Sequence, residues 1–212
     1  PIPSITPTAV PVVRVENGDR ALFHGEVELA LALFQSAYSD SSDPNIRSAA
    51  RWGEVRTQFE DARYPETIAA AQGLIDEFPG STFVPEAYFM QGLAHWEAGN
   101  YLQAAAAWQT FLDLRPGVID AYTQELRGDA FTEAGSFSDA GAAYEAALET
   151  LPEPLRQDLQ QAWGDTTTDP LVTGGAFHFP AVRRGHALVA LQPERGDVAR
   201  RDDDYHDLSR TP

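Results

Sequence analysis

The sequence predicts an all-α chain: a right-handed superhelix (solenoid) of antiparallel helix pairs, ending in an irregular C-terminal segment. Three periodic observations predict it. Short turn-like clusters recur as Gly25-Glu26-Val27, Ala62-Arg63-Tyr64, Gly99-Asn100-Tyr101 and Gly135-Ser136-Phe137, spaced 37, 37 and 36 residues apart. A small residue follows each cluster at Ala30, Thr67, Ala104 and Ala140, and four positions later stand Phe34, Ala71, Trp108 and Tyr144. Prolines then follow at Pro79, Pro116 and Pro152, again 37 and 36 apart. Self-similarity at this period marks stacked two-helix units. The i, i+4 spacing puts each small and large residue on one helix face, as a crossing helix requires, and proline cannot continue a helix.

Taken in order, residues 1–17 read as a Pro/Thr-rich tether, with four prolines in the first eleven positions favouring an extended chain. Residues 18–151 hold four helix pairs. On the first helix of the later units Gly92 and Gly128 recur; glycine there costs about 1 kcal/mol against alanine, so its recurrence implies close helix approach. Residues 152–212 are less regular. Leu155–Trp163 suits a short helix, and Gly164–Pro180 reads as an irregular insertion. From Gly185 onward a degenerate fifth repeat competes with a disordered tail.

Composition narrows the function classes. The chain carries 32 acids against 15 basic residues, a formal charge of −17, and the repeat region 1–151 holds 22 of those acids with 8 arginines. Such a field repels phosphate backbones, so no nucleic-acid partner is expected. There is no cysteine, which removes disulfides, thiolate metal sites and cysteine nucleophiles. No run of about 18 apolar residues predicts a transmembrane segment. Five scattered histidines lack metal-helix spacing, and His95 falls in a packing position, so no metal or other cofactor is expected. Acidic pairs occur throughout without a pattern specific to hydrolysis, and no catalytic residue is assigned.

The recurring positions resemble the tetratricopeptide repeat family. Unit three supplies Gly92, His95, Ala104, Trp108 and Pro116, and unit four supplies Gly128, Phe131, Ala140, Tyr144 and Pro152. Unit two keeps Gly53, Thr67, Ala71 and Pro79, and unit one mainly Ala30 and Phe34. The period of 36–37 exceeds the usual 34 or so, and the stretch from Asp76 through Pro79-Gly80 to Ala87 is similar to the long linker of bacterial envelope members, such as Tol-Pal accessory and outer-membrane assembly lipoproteins. The stretch Phe111–Tyr122 with Gly128-Asp129-Ala130 is similar to the N-terminal helical part of large bacterial lytic transglycosylases.

These resemblances imply a non-catalytic scaffold for proteins or peptides, placed outside the cytoplasm in the periplasm or envelope and anchored upstream of Pro1. An alternative is the accessory region of a peptidoglycan lytic enzyme whose catalytic Glu-Ser pair does not occur here, and another is a cytoplasmic adaptor. Ligand contacts in the family come from the first helix of each unit. Anchored on the glycines, these positions are Arg47, Ala50, Glu54 and Thr57 in unit two, Glu86, Phe89, Leu93 and Trp96 in unit three, and Tyr122, Glu125, Asp129 and Thr132 in unit four. Rings amid carboxylates suit an extended peptide or a peptidoglycan strand. Burial of Phe89 and Trp96 against the neighbouring unit is the competing expectation, and oligomeric state is left open.

Overall fold

The computed structural model describes residues 10–117, 119–150 and 153. Eight helices follow one another: α1 (Pro11–Phe23), α2 (Val27–Asp40), α3 (Pro44–Glu60), α4 (Tyr64–Glu77), α5 (Val84–Glu97), α6 (Tyr101–Leu114), α7 (Asp120–Glu133) and α8 (Phe137–Glu149). Among the described residues there is no strand. Each helix packs on its sequence neighbours, giving four antiparallel pairs in a row. Odd helices also touch, α1 with α3 and α3 with α5, whereas α5 with α7 and successive even helices make no comparable contact. From α1 to α5 the odd helices therefore lie on the inner side of the stack, and the repeat register puts α7 on the same side.

Four identical turns set this register. At each, the chain leaves the odd helix through a left-handed residue, Gly25, Ala62, Gly99 or Gly135, at φ of 75°, 55°, 75° and 74°. The following N–H reaches back to close the helix end: Glu26 donates to the Ala21 carbonyl at 2.9 Å, Arg63 to Gln58 at 2.9 Å, Asn100 to His95 at 2.8 Å and Ser136 to Phe131 at 2.7 Å. The left-handed residue's own N–H donates three positions back, as in Gly25 to Leu22 at 3.0 Å. These paired bonds satisfy helix-terminal carbonyls, and glycine is the residue that adopts the conformation without Cβ strain. Ala62 adopts it at a cost.

Counting from these turns revises unit two. Seven residues before each left-handed position stand Gly18, Val55, Gly92 and Gly128, paired with Phe34, Ala71, Trp108 and Tyr144 on the even helix. A Cβ on Gly92 would run into the Trp108 indole, and one on Gly128 into the Tyr144 ring. In unit two the volumes are exchanged: Val55 and Ala71, both fully buried, take the large and small roles. Gly53 is therefore not the unit-two counterpart of Gly92. It makes room for Phe34 of the preceding unit, whose ring lies against both Gly18 and Gly53.

The N-terminal boundary also differs from expectation. Helix α1 starts at Pro11, so residues 11–17 belong to the first helix pair; proline at the first helical position lacks only an N–H that would have no helical partner anyway. Arg14, 7 % exposed, anchors α1 to α2 through the Ser36 carbonyl at 3.0 Å and the Asp40 carboxylate at 2.6 Å. Residues 1–9, and the insertion and fifth repeat expected over 152–212, lie outside the described residues, apart from Glu153. No helix among the described residues is long and apolar enough to cross a membrane.

Candidate functional site

In the turn-based register, four columns of side chains run across the inner helices. They are Val12, Ala49, Glu86 and Tyr122; Val15, Trp52, Phe89 and Glu125; Asp19, Arg56, Leu93 and Asp129; and Leu22, Phe59, Trp96 and Thr132. One contact demonstrates the alignment directly: Arg56 on α3 pairs with Asp19 on α1 at 2.5 Å. The Arg56 guanidinium also lies 5.6 Å from the Trp52 ring centre. Trp52 itself is buried and stacks on Phe83 of the α4–α5 linker at 6.1 Å and 14°.

Several residues expected on this face hold the fold instead. Arg47 and Glu54 fall outside the columns once the register is counted from Ala62. Arg47 donates to the Tyr38 hydroxyl at 2.7 Å and pairs with Glu77 at 2.5 Å, joining α2, α3 and α4. Glu54 is 4 % exposed and accepts from Arg51 at 2.9 Å. Burial raises its pKa, and Arg51 opposes that rise. Ala50 and Thr57 are fully buried, Thr57 donating to the Gly53 carbonyl at 2.7 Å.

Glu86 and Phe89 occupy the right columns and are nevertheless inaccessible. Glu86 is 4 % exposed and ion-paired with Arg115 at the end of α6. Phe89 is fully buried, edge-on to Phe111 at 5.1 Å, while its carbonyl accepts the Trp108 indole N–H at 3.2 Å. A peptide on the inner face meets neither side chain.

What stays accessible is a band from α5 to α7. Leu93 and Trp96 are half-buried; Trp96 leans on Tyr101 at 5.2 Å and on Trp108 at 6.3 Å, leaving part of its ring towards solvent. Tyr122, Glu125 and Asp129 are likewise partly exposed on α7. Asp129 accepts from the Tyr144 hydroxyl at 2.7 Å, and burial pushes that hydroxyl up to about 12. Burial, reinforced by the Asp129 charge, pushes Glu125 up to about 7. The band thus offers flat apolar area beside a carboxylate pair whose charge changes near neutrality. Trp52, Arg56 and Phe59 were missed as face positions because Gly53, not the turn, served as the anchor of unit two, and Asp19 because unit one had no anchor. Among the described residues no group of three or more His, Cys, Asp or Glu is arranged to hold a metal ion.

Stacked helix pairs with this turn, this glycine–aromatic pairing and this inner face define an all-α repeat protein. Residues 89–153 match the family model described as tetratricopeptide repeat. Among solved structures, the fold is similar to residues 41 to the end of MamA from Desulfovibrio magneticus RS-1, at TM-score 0.55 and 15 % identity over 66 % of this chain and 74 % of that one. It is also similar to the ArsTM double mutant of MamA from RS-1, at TM-score 0.58 and 16 % identity over 77 % and 88 %. These likenesses concern the fold. No curated protein sequence matches this chain.

Proposed function

We propose that the chain is a non-catalytic scaffold that binds a partner protein through an extended peptide segment laid across the inner face between α5 and α7. The observation that carries this is the band itself: Leu93, Trp96, Tyr122 and Glu125 all keep solvent access, Tyr122 in the column where Glu86 is closed and Glu125 in the column where Trp52 and Phe89 are closed. Ring faces supply contact area at low entropic cost, and the carboxylates orient the segment. Placement in the cell envelope is part of the same proposal, supported by the long period and by the resemblance of the linker around Pro79-Gly80.

A photo-crosslinking residue at Leu93 tests the site. It should trap a partner, whereas the same residue at Glu145, exposed on α8 away from the inner columns, should not. Leu93→Ser should weaken capture without unfolding the chain. Equal trapping at both positions would remove the inner face from the proposal. Fractionation of cells expressing the whole open reading frame tests the envelope placement separately.

A further inference from the structure

We propose that the turn edge of the stack is a second docking surface, fitted to a basic segment of a partner protein that carries apolar side chains. All four odd-to-even turns lie at this edge, because each odd helix ends there and each even helix begins there. Among the large apolar residues described, the two most exposed sit on it: Phe23 at 86 % and Phe137 at 72 %, with Leu102 at 54 % between them.

Both phenylalanines depart from the repeat pattern. Phe23 takes the position held by Glu60, Glu97 and Glu133 in the other units. Phe137 is the counterpart of Tyr64 and Tyr101, whose rings rest on Phe59 at 5.8 Å and Trp96 at 5.2 Å. In unit four the supporting position is Thr132, so the Phe137 ring has no aromatic partner there and stands in water. Exposed apolar side chains thus recur along one edge, in units one, three and four, rimmed by polar residues.

Charge selects the occupant. Glu26, Glu60, Asp61, Glu133 and Asp139 are all exposed along the same edge. Of the arginines nearby, Arg63 is ion-paired with Glu66 at 3.1 Å, and Arg20, bonded to the neutral Asn17 at 3.4 Å, leaves one positive charge against these five carboxylates. The edge is therefore apolar and negative. A second copy of a chain with charge −17 is repelled, as is an anionic lipid surface, while a lysine- or arginine-bearing segment is attracted.

The test uses the full chain and a fluorescein-labelled lysine–leucine peptide of about 18 residues, five helical turns, at about 0.1 M salt so that surface charges still act. Two control peptides replace leucine by serine or lysine by glutamate. The lysine–leucine peptide should bind, and each control should bind at least about ten-fold more weakly. Phe23→Ser with Phe137→Ser, and separately Glu60→Lys with Glu133→Lys, should each weaken binding by about ten-fold; all four side chains are exposed, and circular dichroism should show an unchanged fold. Leu93→Ser should leave this binding intact, which separates the edge from the inner face.

No binding by the wild type, unchanged affinity in both double variants, or equal binding of the glutamate–leucine peptide would overturn the proposal. So would loss of binding in Leu93→Ser alone. Sedimentation showing a dimer that the phenylalanine double variant dissolves would overturn it in favour of self-association.

Discussion

The same substitution, glycine to alanine, should have opposite signs at two helical positions of this protein. In α8, Gly141 is exposed and an added Cβ meets nothing within 4 Å. Gly141→Ala then gains only helix propensity, about 1 kcal/mol, and the Tm should rise by about 2–4 °C for a chain of this size. In α5 the added Cβ of Gly92→Ala would lie 2.8 Å from Cε2 of Trp108 and nearer still to Nε1 and Cδ1. That indole is fully buried and its N–H is bonded to Phe89, so it cannot swing aside without losing the bond. Overpacking of this kind costs about 1–3 kcal/mol, which outweighs the propensity gain and leaves a net loss of about 1 kcal/mol. Thermal and urea unfolding of the two variants side by side should separate them by about 2 kcal/mol. If Gly92→Ala stabilises as Gly141→Ala does, the assigned packing of Trp108 on α5 is wrong.

Three further outcomes follow from the same geometry. Ala62→Gly should stabilise by about 1 kcal/mol in urea melts, because it relieves the one non-glycine left-handed residue at φ 55° among those described. Val55→Gly and Ala71→Tyr should each destabilise, the first by a cavity and the second by a clash, yet together lose less than their sum. A coupling energy above about 1 kcal/mol in the double-mutant cycle checks the exchanged volumes. Glu125 is raised from 4.5 to about 7 by burial and Asp129, so the unfolded chain ionises first and stability falls as pH rises from 4.5 to 7. Glu125→Gln should match wild type below pH 4.5 and exceed it above pH 7, by about 1 kcal/mol after allowing for the water that reaches this half-buried group.

The repeat was legible because turn, small residue and proline share one period, and each marks the same physical event, a helix ending or two helices crossing. What defeated the reading in unit two was a compensated exchange. Val55 with Ala71 conserves volume across two positions, and no single-position pattern registers that, so Gly53 drew the anchor and carried Arg47 and Glu54 with it. The prolines before Val12 were read as extended chain, although Pro11 is as well suited to open a helix as to prevent one. At the candidate site, type and spacing placed Leu93, Trp96, Tyr122, Glu125 and Asp129 on one face. They did not disclose that Arg115 covers Glu86 or that Phe111 and Trp108 enclose Phe89, since those contacts come from the partner helix.

The placement of Phe34 has a mechanical consequence. Trp108 and Tyr144 each lock onto a glycine of their own unit, whereas Phe34 engages Gly18 and Gly53 together and so clasps two units with one ring. Under tension applied to the ends of the repeat, units three and four have separate latches and should release one at a time. The first two units share a latch and should yield as a single, longer step, so a force–extension trace would show unequal increments from a sequence whose repeats are almost equal in length.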